Sequence, residues 1–396
     1  MKPANALLSA LPTTIFTVMS ALATEHDAIN LGQGFPDTEG PRDIVQAAAD
    51  ALLDNRNQYA PLAGLPELRR AVADANARFY GIACDPMSEV VVTSGATEAI
   101  TASLAALLDP GDEVVLIEPL YDTYAPAVRL LGGVPRLVRL EPPDWHLPRQ
   151  ALAAAFGPRT KAILLNTPMN PTGKVFSREE LGAIADLLVQ HDAYAICDEV
   201  YEHLVFAPAR HVPLMTLPGL RERCVRIGSA GKSFSLTGWK VGYVTAPAPL
   251  AAVIGRAHQN LTFATPPNLQ RAVALGLARD GAYFDALSAS LAGRRDLLGE
   301  GLRALGFDVL PSSGSYFLIA DFAGLRPGVD AHRFCRAITA EARVAAIPLP
   351  AFYEDPDPPS TLVRFAFCKQ EAVLAEALSR LRRYLAPPAA ATAAAD

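Results

Sequence analysis

The chain has 396 residues, of which 51% are hydrophobic and 19% charged, enough for two domains with cores of their own and far from a disordered or fibrous composition. A net charge of −6, with no basic run and no basic patch interleaved with aromatics, argues against a nucleic-acid partner. Cys84, Cys197, Cys224, Cys335 and Cys368 are odd in number and scattered without a C-x-x-C pair, which fits reduced thiols in a cytoplasm and no metal site. No apolar run is long enough to cross a bilayer, and Pro12, Thr13 and Thr14 interrupt the N-terminal segment, so neither a membrane span nor a signal peptide is expected.

Residues 1 to about 30 read as an arm and a helix, with apolar residues at helical spacing over 14–23. Asn30-Leu-Gly-Gln-Gly-Phe-Pro-Asp37 then breaks the pattern with turn formers. Two glycines beside Phe35 and Pro36 suit a backbone that passes close to something, or a plain connecting loop. Helical patterns follow at 43–53 and 66–80, and Tyr59 lies between them. From residue 89 short β-rich runs (89–93, 113–117, 136–140, 162–165, 194–197) are mostly separated by helical stretches (97–108, 124–131, 178–191). This alternation predicts a largely parallel sheet covered on both faces. Strand-like runs at 224–228 and 240–245 flank a Gly/Ser/Thr turn. Long helices are expected at 249–259 and roughly 269–303, then strands at 307–310, 316–320 and 362–367 with helices at 331–342 and 370–385. That second pattern fits a smaller α+β domain, and the Ala/Pro tail is expected to be disordered.

Chemistry-bearing residues gather after the predicted strands. Gly228-Ser-Ala-Gly-Lys-Ser-Phe-Ser-Leu-Thr-Gly-Trp-Lys240 places Lys232 and Lys240 about a tight turn, where partial dehydration would lower a lysine pKa and free its amine for Schiff-base chemistry. Two solvated surface lysines are the competing reading. Thr93-Ser-Gly-Ala-Thr97 opens a helix directly after a strand, and free amides there attract an anion such as phosphate. Asn166-Thr-Pro-Met-Asn-Pro-Thr-Gly173 makes a rigid turn able to aim Asn170. Asp198 ends a buried strand, where a carboxylate is costly without a positive partner. A helix cap or a structural ion pair would also account for it.

In this order the segments resemble the fold-type I, class I/II pyridoxal-phosphate aminotransferases over nearly the whole chain. The resemblance rests on Leu31-Gly-Gln-Gly-Phe-Pro-Asp37, Tyr59, Ser94-Gly-Ala-Thr97, Pro119-Leu-Tyr121, Asn170-Pro-Thr-Gly173, Asp198-Glu-Val-Tyr201, Ser229-Ala-Gly-Lys232 with Gly238-Trp-Lys240, and Val363-Arg-Phe365. It implies an α/β fold with a large domain (43–284) holding a mainly parallel seven-stranded sheet between helices. The N-terminal arm (1–42) would share a smaller α+β domain with residues 285–386, ahead of a disordered tail at 387–396. It also implies pyridoxal 5′-phosphate held covalently by Lys232, with Asp198 on the ring nitrogen and Tyr201 and Asn170 on the ring oxygen. Tyr121 would stack on the ring. Gly95, Ala96, Thr97, Ser229 and Lys240 would cradle the phosphate, Lys240 standing where many relatives carry arginine. Tyr59 would reach in from the other subunit of a homodimer, and Arg364 would grip the substrate α-carboxylate beside the Gly34 backbone.

Within that family the likeness is nearest to kynurenine/glutamine-type and bacterial methionine/aromatic enzymes, and N-succinyldiaminopimelate aminotransferases share the same features. Phe35, Tyr121, Phe263 and Tyr316 are expected to line the side-chain pocket, and none supplies a cation for a second carboxylate. The expected reaction is ping-pong transfer from a neutral, aromatic or methionine-like donor to a 2-oxo acid. An N-succinyldiaminopimelate donor, or β-lyase side activity on cysteine conjugates, is the alternative. A ligand-sensing descendant of the fold would need a partner domain, such as a DNA-binding helix-turn-helix, ahead of the cofactor domain.

Overall fold

A computed structural model describes residues 1–54 and 57–386; the tail expected to be disordered lies outside the described residues. Its strands are β1 (Ile29–Asn30), β2 (Val90–Thr93), β3 (Glu113–Glu118), β4 (Val134–Arg139), β5 (Thr160–Asn166), β6 (Tyr194–Asp198), β7 (Cys224–Ser229), β8 (Gly242–Thr245), β9 (Asp308–Val309), β10 (Phe317–Asp321), β11 (Val344–Ala345), β12 (Ile347–Pro348) and β13 (Leu362–Ala366). Seven of them form one sheet in the order β2-β8-β7-β6-β5-β3-β4. Its pairs are parallel except for the two made by β8.

The central strands are apolar on both sides, as strands covered by helices must be. Val115, Ile117, Ile163 and Leu165 pack toward Leu181, Ile184 and Leu188 of the helix Arg178–Gln190. The intervening Val114, Leu116 and Leu164 pack with Ala99, Leu104 and Ile254, from the helices Gly95–Leu107 and Ala248–Leu261. Alternate residues of one strand thus serve two cores, the period-two consequence of the pleat. The helix Arg178–Gln190 is started by a reciprocal cap between Ser177 and Glu180.

A four-stranded antiparallel sheet, β12-β13-β10-β9, forms from the C-terminal part of the chain. Arg364 sits in the middle of β13, opposite Ile319 of β10 and Ile347 of β12. The N-terminal segment joins this region: β1 pairs in parallel with β11, and Leu31 exchanges backbone hydrogen bonds with Ala345 and Ala366. The glycine-rich 31–37 segment is thereby laid against the arginine-bearing strand.

The helix expected over 269–303 is two helices, Pro267–Leu277 and Gly281–Ala304. Asp280 between them is extended at φ −69°, ψ 172°, and Asp-Gly favours such a break over continuation. A short helix at Arg149–Ala155 was not expected. Among the described residues no helix is long and apolar enough to cross a membrane.

Candidate active site

Three neighbouring strands of the large sheet end in polar residues at one edge: β5 on Asn166, β6 on Asp198 and β7 on Ser229. A sheet buried on both faces can expose chemistry only where its strands leave the core. β2 ends at the same edge, and the helix Gly95–Leu107 starts from it. That connection requires glycine. Gly95 has φ +80°, and a Cβ on Gly242 of β8 would lie 2.6 Å from the Gly95 carbonyl carbon. These ends, with the 33–35 loop and β13, enclose a cavity of about 440 Å³.

One end of the cavity is lined by Gly95, Ala96 and Thr97, with Ser229, Thr237 and Lys240 around them. The open amides and the dipole of a 13-residue helix favour an anion there, and Lys240 adds a full positive charge. Glu98 braces the turn from behind. Its carboxylate accepts the Ser94 N–H and meets Nδ1 of the buried His258 at 2.5 Å.

Asp198 lies at the centre of the cavity wall and is 5% exposed. Tyr124 Oη donates to its Oδ2 at 2.5 Å, and Asn166 Nδ2 holds its backbone carbonyl at 2.9 Å. Burial raises the Asp198 carboxyl above the ordinary range, opposed by the Tyr124 hydrogen bond and the charge of Lys232. The carboxylate makes no ion pair among the described residues, so a protonated nitrogen entering the cavity would relieve the cost of burying it. Behind it, Glu199 and Glu202 are buried against Arg226 of β7, which also reaches Asn76 at 2.5 Å and stacks on Tyr80. This buried charge cluster fixes the segment that follows Asp198.

Lys232 stands on the one-turn helix Ala230–Ser233 after β7. Its Nζ donates to Tyr316 Oη at 3.0 Å. Burial depresses its pKa to about 8, with Cys368 and Asp198 pulling up and Arg364 and Lys240 pushing down. The amine is thus mostly charged below that pH and becomes a nucleophile as the pH rises through it.

Arg364 is 1% exposed. Nη1 donates to Asn170 Oδ1 at 2.7 Å and Nη2 to the Gly32 carbonyl at 2.6 Å, while Nε has no partner among the described residues. The guanidinium lies over the Phe317 ring at 4.0 Å and near Phe352 at 4.8 Å. Burial lowers its pKa to about 10. A buried cation with an open donor, at the wall of a cavity, is suited to a carboxylate that arrives with the substrate.

Most residues singled out in the sequence meet in this cavity: Gly34, Phe35, Gly95, Ala96, Thr97, Tyr121, Asn170, Asp198, Tyr201, Ser229, Lys232, Lys240 and Arg364 all line it. Burial pushes Tyr121 up to about 12 and Tyr201 higher still, so both hydroxyls carry their protons. Tyr59 and Phe263 do not line it. Both are exposed and pack edge to face at 5.1 Å. Tyr316 does not line it either; it is 1% exposed, behind Lys232, and its hydroxyl donates to the Gly34 carbonyl at 2.5 Å.

Sequence reasoning missed four contributors: Tyr124, Asn166, Asp122 and Lys369. Asn166 accepts the Asn170 N–H on Oδ1 at 2.7 Å, which sets the turn that aims Asn170. Lys369 donates to the Phe35 carbonyl at 2.7 Å and sits over its ring. Tyr124 lies three residues after Tyr121, and Asn166 is the last residue of a strand. Both positions carried a signal that the strand-end argument was able to use.

A buried lysine of lowered pKa and a carboxylate without an ion pair, between a helix start and a buried arginine, are the groups that a phosphorylated carbonyl cofactor and a carboxylate substrate would call for. The chain belongs to the aminotransferase class I and II family, whose model matches residues 26–381. It is 43% identical to methionine aminotransferase of Escherichia coli over 376 residues, covering 95% of this chain and 97% of that protein. The solved structure of N-succinyldiaminopimelate aminotransferase from Mycobacterium tuberculosis superposes with a TM-score of 0.94 at 47% identity, over 97% of this chain and all of that one. Human kynurenine–oxoglutarate transaminase 1 is 38% identical, over 92% of this chain and 94% of that protein. The chain is therefore a pyridoxal-phosphate-dependent aminotransferase of fold type I. The donor set fits that cofactor: an amine for its aldehyde, a carboxylate short of a cation for its ring nitrogen, and a helix start with Lys240 for its phosphate.

Proposed function

We propose that the enzyme takes its amino group from a neutral donor of the methionine or phenylalanine type and passes it to a 2-oxo acid. The observation that carries this reading is the charge of the cavity wall. Lys232, Lys240 and Arg364 are its only basic residues among those described, and each has a role already. Phe16, Phe35 and Tyr121 supply apolar surface, and Asp122 adds to the wall a second carboxylate besides that of Asp198. Among the described residues of this chain's cavity wall, a donor with a side-chain carboxylate would meet no free cation and one like charge. Burying that carboxylate unpaired costs roughly 1–3 kcal/mol or more, a disadvantage of about tenfold to over a hundredfold in kcat/KM.

When bound, the cofactor supplies an electron-poor ring that accepts the electron pair left as the substrate Cα–H bond breaks. Lys232 would hold the cofactor covalently and, once displaced by substrate, would take the proton from Cα as base and return it as acid. Asp198 would keep the proton on the ring nitrogen, with Tyr124 and Asn166 holding Asp198 in place. Tyr201 and Asn170 would bond the ring oxygen, and Tyr121 would stack on the ring. The helix start, Ser229 and Lys240 would hold the phosphate. Arg364 receives the α-carboxylate, and the Gly34 loop covers it.

The enzyme acts as a homodimer with shared sites, a reading supported by Tyr59 and Phe263, which stand exposed and paired away from this chain's own cavity. Subunit exchange between inactive Lys232→Ala and inactive Tyr59→Ala proteins should restore activity in mixed dimers; demonstrated mixed dimers without activity would exclude shared sites. We read the enzyme as a cytoplasmic one of amino-acid metabolism, a reading that the five free cysteines support.

A second reading, an N-succinyldiaminopimelate donor, is favoured by the 47% identity to the mycobacterial enzyme of that name. Comparing kcat/KM for methionine, phenylalanine, aspartate and N-succinyldiaminopimelate with one common oxo acid separates the two. A tenfold advantage for either acidic donor would overturn the neutral-donor reading and leave the cofactor assignments standing. Asp122→Asn should raise kcat/KM for aspartate about five- to thirtyfold, since one like charge in a partly screened cavity is worth about 1–2 kcal/mol, while leaving phenylalanine within threefold. An equal effect on both donors would show that Asp122 does not read side-chain charge.

A further inference from the structure

Tyr316 is absent from the cavity wall. It is expected among the pocket walls, yet it is turned behind the lysine, and its hydroxyl makes two hydrogen bonds of fixed sense. The oxygen donates to the Gly34 carbonyl at 2.5 Å, so toward Lys232 Nζ, at 3.0 Å, it can only accept. Each end of this chain is fixed. Gly34 is so close to the aromatic layer that a Cβ there would lie 2.6 Å from the Phe317 ring. The Tyr316 ring is held edge to face by Tyr201 at 5.2 Å and Phe317 at 4.8 Å.

We infer that Tyr316 is a positioning residue for Lys232: it holds the amine after substrate has displaced it, aims its lone pair at the substrate Cα, and ties it to the Gly34 loop. A free lysine amine rotates about its last bonds, and only one orientation points the lone pair at the proton to be moved. Anchoring one N–H to a hydroxyl that cannot itself donate selects that orientation. The same bond reaches the loop that covers the α-carboxylate, so loop placement and base placement are set together. The inference rests on the reading above, in which Lys232 is the cofactor lysine and the base.

The groups facing the amine are Tyr316, Tyr201, Asp198, Cys368, Arg364 and Lys240. Removing the Tyr316 oxygen leaves the other five and takes away an acceptor that favours the ammonium form. Its loss should lower the Lys232 pKa further.

Tyr316→Phe tests this while keeping the ring contacts. With a neutral donor, kcat should fall about tenfold or more with KM within threefold, and the acid limb of the kcat profile should move down by about one pH unit. An unchanged limb and kcat would overturn the inference. A second measurement needs no folded variant at position 316. In the enzyme loaded with the amine form of the cofactor, where Lys232 is free, one ¹³Cζ-tyrosine NMR resonance should titrate with the lysine. It should stop doing so in Lys232→Ala. No tyrosine resonance coupled to Lys232, or the same titration in Lys232→Ala, would also overturn it. If borohydride instead fixes the cofactor on a different lysine, the reading on which the inference rests fails first, and the two failures are distinguishable.

Discussion

Lys232→Ala should lower transamination by about 10⁴-fold or more while the protein still holds pyridoxal phosphate without a covalent bond. The size follows from the two tasks that one side chain performs. Lys232 has the only amine among the described residues that is both enclosed at the strand edge and depressed to about 8 within the cavity, so no neighbour can take over proton transfer at the substrate. Lys240 sits at the anion end in a left-handed turn, with φ +54°. The helix start, Asp198 and Lys240 remain in the variant and should retain the cofactor. Single-turnover absorbance with a neutral donor, together with cofactor content after gel filtration, reads both outcomes. Activity within tenfold of the unaltered enzyme would mean that another base operates.

Arg364→Leu should reduce kcat/KM for amino-acid donors by about 10²- to 10⁴-fold, the worth of two charge-assisted hydrogen bonds at about 1.5–3 kcal/mol each. The guanidinium lies 4.0 Å from the Phe317 ring centre and 4.8 Å from that of Phe352 and is buried on β13, so leucine there leaves an apolar wall with no charged partner for the α-carboxylate. Arg364→Lys should recover little, because a tetrahedral ammonium lacks the planar fork that offers a carboxylate two parallel N–H bonds while Nη1 and Nη2 stay on Asn170 and Gly32. The discriminating control is a primary amine with no carboxylate. Its slow reaction should change by less than tenfold, whereas a loss equal to that of phenylalanine would assign Arg364 to holding the fold of the site rather than the substrate.

The large sheet was legible because its strands are short apolar runs separated by helical periods, and the cavity was legible because polar residues collect where those strands end. Lys232, Asp198, Asn170 and Arg364 were each found this way or by resemblance, and all four line one cavity. Three kinds of feature were hidden. Two-residue strands such as β1, β11 and β12 carry too few positions for any period to show, and they exist because neighbouring segments pair with them. Side-chain direction was hidden as well: Tyr316 was assigned to the pocket wall, but its ring points behind Lys232, an orientation set by tertiary packing on Tyr201 and Phe317. Partners distant in sequence were the third. Nothing local to Glu199 and Glu202 announces Arg226, or announces that Asn76 from a separate helix completes the cluster. The break at Asp280-Gly281, by contrast, was readable from turn chemistry, and helical spacing on either side masked it.

The most direct test is to reduce the cofactor-loaded enzyme with borohydride and map the modified peptide by mass spectrometry. The cofactor should be fixed on the Gly-Lys-Ser segment at Lys232, in stoichiometric amount, with no label on Lys240 or Lys369. Label on either of those lysines, or a cofactor that washes away unreduced, would contradict the assignment of Lys232 and with it the roles given to Tyr316, Asp198 and Arg364 around it.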